Sequence, residues 1–402
     1  MATPSHVRVT GPLQPYAPGF RQELARQGYT ANAAGNQLQL MAHVSRWLTS
    51  RGLAVGELTP DRSEDFLVVR RAEGYVLWRS TKAMAPVLGY LRELGAVPMV
   101  APVAPSTPAE ELLGHYRAYL EQERGLAEGT VACYLHVARL FLFTRSPAGR
   151  LELDELSARE VTQFVLAECA TRKVGSAKYI VCGLRALLRY LHVQGHTEGQ
   201  LAAAVPKVAG WRLAGLPISL GRREVRLLLA SCDRRTTYGR RDFAVLTLLS
   251  RLGLRAGEVA ALELTDLDWR AGEVVIHGKG RRQERLPLPA DVSEAIAGWL
   301  RRGRPRCECS NVITRVRAPH QRLTSGGVSA IVWAACTRAG LPEVNAHRLR
   351  HTAATEMLRA GAGLSEVGQV LRHASLLTTS IYAKVDRTAL RALAQPWPGS
   401  TS

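Results

Sequence analysis

The pattern of apolar and polar positions is helical over most of the chain, with breaks at prolines and glycines. A clear helix start falls at Thr107, a good N-cap, with Pro108 suited to the first helical position and Glu110 placed to complete a capping box. Leu113, Tyr116 and Leu120 then line one face. Just upstream, Pro98, Pro102 and Pro105 lie in a stretch without charge between Gly95 and Glu110, which predicts an extended linker over 98–106. Pro206, Gly210, Gly215 and Pro217 predict a second linker over 204–220. Between them, 107–203 reads as about four helices with no strand signal.

Residues 1–97 resemble that segment. Gly28-Tyr29-Thr30 with Gln37-Leu38 matches Gly125-Leu126-Ala127 with Tyr134-Leu135. Leu58-Thr59 with Phe66 matches Leu156-Ser157 with Phe164, and Tyr90-Leu91 with Gly95 matches Tyr190-Leu191 with Gly195. The offset stays between 97 and 100 throughout. Short amphipathic helices look alike by chance, but a nearly constant offset predicts a duplicated helical domain.

From 221 to 402 the texture changes. Arg222 to Ala230 and Arg241 to Leu252 read as helices, the second largely buried. Glu273-Val274-Val275-Ile276-His277, a Gly278-Lys279-Gly280 turn, and Gln283 to Leu288 read as a β-hairpin, with Pro287 marking an edge strand or its end. Helical pattern resumes at Thr324 and breaks at Gly340-Leu341-Pro342, at Gly361-Ala362-Gly363 and around Ala374-Ser375. The predicted fold class is therefore mainly α with a small antiparallel β-sheet, the helical units preceding a mixed α+β C-terminal domain.

Charge narrows the function. The chain has 402 residues with 53 Lys plus Arg against 34 Asp plus Glu, a net charge of +19. The surplus is +4 over 1–106, zero over 107–206 and +15 over 207–402. Nucleic acid is the commonest acceptor of such a surplus. No basic amphipathic helix with an aromatic edge suggests a membrane surface. No apolar run approaches the ~20 residues of a membrane span, since Arg251 interrupts Phe243 to Leu254. The start, Met-Ala-Thr-Pro-Ser-His, reads as neither a secretory signal nor a transit peptide, and seven scattered cysteines do not suggest a disulfide framework. The expectation is an intracellular, cytoplasmic protein. Only six basic residues are Lys, which reads as the codon bias of a GC-rich genome and draws the eye to each of them.

Three patches share one chemical theme. In Leu252-Gly253-Leu254-Arg255-Ala256-Gly257-Glu258 an Arg follows a Gly turn and a Glu follows three residues later; alone, this reads equally as a solvated pair. In His347-Arg348-Leu349-Arg350-His351-Thr352, spacing of three puts His347 and Arg350 on one helical face. No carboxylate or Cys stands there at metal-ligand spacing, and His beside Arg suits a phosphate better. In Arg372-His373-Ala374-Ser375 and Ser380-Ile381-Tyr382, a His precedes a Tyr by nine residues; a lone Tyr on a helix is more often core.

Together the patches resemble the tyrosine recombinase (phage integrase) family. Its pattern of an Arg in a Gly-Leu-Arg…Glu box, a Lys in a β-hairpin turn, a His-x-x-Arg box, a His or Trp and then a Tyr is matched by Arg255, Lys279, His347, Arg350, His373 and Tyr382. Glu258 and Thr352 occupy positions where the family places structural residues. The match is strong over 217–390, and 107–200 resembles the family's core-binding domain. The implied domains are a SAM-like helical domain at 1–97, a core-binding domain at 107–203 and a catalytic domain at 221–402.

The resemblance implies that Arg255 and Arg350 clamp the non-bridging oxygens of the scissile phosphate, with His373 as a further donor. Tyr382 would be the nucleophile of a 3′-phosphotyrosyl intermediate that conserves bond energy without ATP, and His347 its general base. Lys279 would protonate the leaving 5′ oxygen, a task a Lys ammonium can perform and an Arg cannot. No metal or organic cofactor is expected, and Cys307-Glu308-Cys309 reads as a loop with free thiols. Arg281, Arg282, Arg240 and Arg241, with Arg234 and Arg235, read either as phosphate contacts or as a solubilising face. The implied partner is double-stranded DNA, held by a homotetramer in the synapse and by a monomer or weak oligomer otherwise. The rival readings are a type IB topoisomerase and a non-catalytic DNA-binding regulator on the same scaffold. A role in integrating or excising a mobile element fits best.

Overall fold

The computed structural model describes residues 7–99, 107–145, 151–209, 219–278, 283–372 and 376–385. The chain forms two compact units, Met1–Met99 with Gly215–Ser402, and Val100–Ala214. Both are built mainly from helices, with one three-stranded antiparallel sheet.

The N-terminal helices are α1 (Ala17–Arg26), α2 (Ala31–Arg51), α3 (Pro60–Ala72) and α4 (Thr81–Glu93). Thr30 caps α2 by accepting from the Ala33 N–H at 3.3 Å, and Thr59 caps α3 the same way from Arg62 at 3.3 Å. Phe20, Leu38, Met41, Leu67 and Leu91 meet in one core. Two contacts tie this segment to the C-terminal elements of its unit: Arg26 pairs with Glu308, and the His320 N–H donates to the Gln27 carbonyl at 3.2 Å.

The second unit holds α5 (Pro108–Ala118), continued by a π-helical turn at Tyr119–Glu123, then α6 (Glu128–Thr144), α7 (Ala158–Cys169) and α8 (Val174–Val193). Thr107 is the N-cap of α5 as its spacing predicts, accepting from the Glu110 N–H at 3.3 Å. The predicted linker at 204–220 begins differently: Val205 is buried in this core, and its carbonyl accepts from Arg185 at 2.8 Å. Backbone at a chain exit is satisfied here by a side chain of α8.

The C-terminal elements are α9 (Arg222–Ala230), α10 (Thr237–Arg251), α11 (Ala256–Ala261), β1 (Leu267–Asp268), β2 (Glu273–His277), β3 (Gln283–Pro287), α12 (Ala290–Arg302), α13 (Ser325–Ala339), α14 (Ala346–Arg359), α15 (Leu364–Val370) and α16 (Leu376–Thr379), followed by a 3-10 turn at Ser380–Val385. The sheet order is β1-β2-β3, with Val274 opposite Leu286 and Ile276 opposite Glu284. Alternation buries Val274, Ile276 and Leu286 on one face, and Pro287 closes the edge strand. Helix α10 starts four residues earlier than its apolar pattern indicates, because the Thr236 hydroxyl caps it from the Gly239 N–H at 3.0 Å. Trp299 of α12 is fully buried and donates from Nε1 to the Val312 carbonyl at 2.8 Å. A smaller cluster of Ala354, Val367, Leu371 and Tyr382 joins α14, α15 and the final turn. Among the described residues, no helix is long and apolar enough to cross a membrane.

Candidate active site

Three chain reversals assemble the site. The first follows α10, where Gly253 takes left-handed backbone with φ +59 and turns the chain into α11. Arg255 is the N-cap of α11, and Glu258 binds it twice. One carboxylate oxygen accepts from the Arg255 N–H at 2.8 Å and the other from its guanidinium at 2.6 Å. This is half of a capping box: a Glu three residues after the cap position accepts the cap residue's N–H, and here it also pairs with that residue's own side chain.

The second reversal leads into α14, capped by Asn345, which accepts from the Arg348 N–H at 3.0 Å. Spacings of three and four set His347, Arg350 and His351 on one face of this helix. Arg350 is 1% exposed. Its guanidinium donates to the Gly253 carbonyl at 2.6 Å and to the Leu371 carbonyl, bridging the α10–α11 turn to the end of α15. Behind it, the Thr352 hydroxyl accepts from the Leu220 N–H at 2.9 Å and donates to the Arg348 carbonyl at 2.9 Å.

The third reversal returns the chain to α14. Tyr382 packs its ring on Ala354, Val367 and Leu371, and its hydroxyl lies 2.7 Å from Nδ1 of His351. The His351 ring in turn stands edge-on to His347, with centroids 4.6 Å apart. Arg255, His347, Arg350 and Tyr382, inferred from three separate sequence patches, therefore lie in one compact unit. Lys279, Arg281, Arg282 and His373 lie outside the described residues.

The electrostatics suit an anion. Burial, reinforced by the charge of Arg255, lowers the Arg350 guanidinium to about 10, so it is still charged at neutral pH. Burial and the neighbouring Arg350 and Arg255 lower His347. Burial first, then His347, Arg350 and Arg348, bring His351 down to about 4. A neutral His351 in the tautomer protonated at Nε2 accepts the Tyr382 hydroxyl hydrogen at Nδ1. Burial raises the Tyr382 phenol, against the opposing charge of Arg350. Burial alone would raise Glu258, but the Arg255 N–H and the charges of Arg372 and Arg255 hold it below the usual carboxylate range.

Two participants were not singled out from the sequence. His351 adjoins Arg350 in the same box, so its signal was present but its partner, 31 residues on, was not readable. Arg372 donates to Glu258 at 2.7 Å from a left-handed backbone that nothing in Leu371-Arg372-His373 announces. Elsewhere, Arg240 donates to the Arg302 carbonyl at 3.0 Å, Arg241 pairs with Asp242 at 2.8 Å, Arg235 pairs with Asp233 at 2.9 Å, and Arg234 lies over the Phe243 ring. Cys307 and Cys309 are free thiols, the second 3.3 Å from the Asn311 side-chain oxygen.

Two predictions arise here. An alanine at Gly253 would need left-handed backbone and would place Cβ 2.6 Å from Leu371 Cδ2. Gly253→Ala should cost about 1–3 kcal/mol in chemical denaturation. The second concerns pH. The folded pKa of His351, about 4, lies below the ordinary 6.5, so the unfolded chain binds that proton first. Stability should be complete above pH 6.5 and fall as pH drops through 4; His351→Gln should flatten that slope in urea titrations at pH 5 and 7.5. An unchanged slope would show that His351 is not held neutral.

Comparison with known proteins agrees. Residues 219–388 match the phage integrase family. A Sinorhizobium fredii protein named as an integrase/recombinase, y4rA, is 39% identical over 393 residues, which cover 97% of this chain and 95% of the relative. The tyrosine recombinase XerD of Mycobacterium tuberculosis is 32% identical over 312 residues, 73% of this chain and 98% of its own. The fold is shared with XerH bound to its palindromic difH substrate (TM-score 0.57, 21% identity, 71% of this chain and 85% of that one). It is also shared with a lambda integrase dimer on a core site (TM-score 0.53, 18% identity, 66% of this chain and 95% of that one). The chain belongs to the phage integrase family of tyrosine recombinases, which are DNA strand transferases.

Proposed function

We propose that this recombinase cuts and rejoins duplex DNA at specific sites through a 3′-phosphotyrosyl link at Tyr382. The observation that carries the reading is the Tyr382 hydroxyl, hydrogen-bonded at 2.7 Å to a histidine next to the buried Arg350. Tyr382 Oη would attack the phosphorus as the bond to the 5′ oxygen breaks, and one ester replaces another, so no ATP is consumed. Arg255 and Arg350 would hold the non-bridging oxygens as charge develops, with His373 as a further donor. Lys279 would give its proton to the leaving 5′ oxygen. The phenol proton would leave to the histidine pair. His347 is the expected base, and the contact of Tyr382 with His351 offers a second acceptor on the same helix face. No metal or organic cofactor enters these steps.

For partners, XerH has been solved on its difH substrate and lambda integrase as a tetramer on a Holliday junction. We extend duplex DNA and a synaptic homotetramer to this chain, with a monomer or weak oligomer in its absence, acting in the cytoplasm of a bacterium. Residues 107–203 would be the core-binding domain, 221–402 the catalytic domain, and 1–97 a SAM-like duplicate of the former. Parallel chain turns support the duplication: Gly28 and Gly125 are both left-handed (φ +83 and +54), as are Gly95 and Gly195 (φ +67 and +77). Arg281 and Arg282 are proposed phosphate contacts. Arg240 and Arg241 would have to exchange their present partners, the Arg302 carbonyl and Asp242, to join them.

The role we favour is integration or excision of a mobile element. The test is strand exchange between cloned flanking attachment sites, with plasmid relaxation run beside it. Site-dependent exchange supports the proposal; relaxation without site preference would point to topoisomerase chemistry. Deleting 1–100 and measuring DNA affinity and synapsis separately would assign the first unit.

A further inference from the structure

Arg372 sits where its side chain has an unusual cost and an unusual set of partners. Its backbone is left-handed, φ +55, a conformation shared by only one other non-glycine residue, Trp78, among those described. Glycine, asparagine and aspartate take that conformation far more easily than arginine. The residue is nevertheless 9% exposed rather than released to solvent. Its Nε is buried with no hydrogen-bond partner among the described residues. A backbone strain and an unsatisfied buried donor together oppose an arginine here.

The partners explain its retention. Nη1 donates to the Val370 carbonyl at 3.0 Å, closing the end of α15, and Nη2 donates to Glu258 Oε2 at 2.7 Å. That same carboxylate oxygen accepts the Arg255 N–H, while its other oxygen accepts the Arg255 guanidinium. The Arg255 guanidinium also faces the Arg372 carbonyl at 3.5 Å. One carboxylate is thus shared between two guanidiniums. The next residue in the chain is His373.

We propose that Arg372 is a positioning residue for strand transfer: through Glu258 it holds the Arg255 guanidinium in register with the end of α15. Shared between two cations, Glu258 cannot close on Arg255 alone, and Arg255 keeps charge available for the scissile phosphate. Without Arg372, the Glu258–Arg255 pair becomes exclusive and the guanidinium turns inward. This rests on the reaction proposed above.

The test uses full-length protein and a nicked suicide DNA substrate at saturating concentration. Arg372→Gly and Arg372→Asn both accept left-handed backbone and both remove the guanidinium. Each is expected to leave DNA affinity within about 2-fold and the protein folded at the assay temperature, while slowing adduct formation about 10- to 100-fold, the size of effect that small misplacement of a clamping group produces. Arg372→Lys, which keeps the charge and the strain, should recover most of the rate. In a Glu258→Gln background, Arg372→Asn should cost little further rate, since the shared carboxylate is already neutral. If Gly and Asn variants cleave at the wild-type rate, or lose rate equally in the Glu258→Gln background, the proposal is overturned. Absence of any adduct from the wild-type protein would instead overturn the reaction on which it rests.

Discussion

Tyr382→Phe is expected to abolish the covalent protein–DNA adduct on a nicked suicide substrate while leaving the protein folded and able to bind DNA. The phenylalanine ring keeps every apolar contact of the tyrosine with Ala354, Val367 and Leu371. What disappears is one hydroxyl and its hydrogen bond to His351. That bond contributes about 0.5–1.5 kcal/mol, so a small shift in denaturation midpoint is expected, not unfolding. The chemical consequence is of another order, because the missing oxygen is the proposed attacking atom. Gel-shift affinity should stay near wild type as the adduct falls to background. An adduct of wild-type yield from Tyr382→Phe would move the nucleophile elsewhere.

Arg350→Ala should have the next largest effect, and it should act on stability and rate together. The guanidinium is buried and donates to the carbonyls of Gly253 and Leu371, which belong to two different chain reversals. Truncation leaves both carbonyls without that donor, at about 1–3 kcal/mol each. It also removes a fixed positive charge from the place where the phosphate would be held, worth about 10²–10³-fold or more in rate. Arg350→Lys keeps a charge but not the planar fork, so it should regain stability only in part and rate only slightly. The measurement is single-turnover cleavage well below each variant's melting temperature, with urea denaturation alongside. Wild-type cleavage by folded Arg350→Ala would remove Arg350 from the phosphate clamp.

Much of the fold was readable because local rules and tertiary packing agree. The capped start of α5 at Thr107, the alternation of Val274 and Ile276 in the hairpin, and the run from the Thr324 cap to the left-handed Gly340 all follow from spacing and turn chemistry. The apolar pattern starts α10 only at Arg241, because it does not report the polar first turn that Thr236 caps. Pro206, Gly210, Gly215 and Pro217 mark Val205 as the start of a linker, whereas its burial depends on α8 reaching across.

The site divides along the same line. Arg255 with Glu258 at the start of α11, and His347 with Arg350 within α14, are set by spacings of three, and those spacings are legible in the sequence. The His351–Tyr382 contact needs a third reversal of the chain, and the Glu258–Arg372 bond joins residues 114 apart. Neither is encoded in a local period, and each appears only once packing brings α14, α15 and α11 together.

The most direct test is to trap the adduct between wild-type protein and a nicked suicide duplex, digest protein and DNA, and sequence the linked peptide by mass spectrometry. A nucleotide attached through its 3′ phosphate to Tyr382, with a free 5′ hydroxyl on the released strand, is the predicted result. Linkage to any other residue, or through a 5′ phosphate, would contradict it.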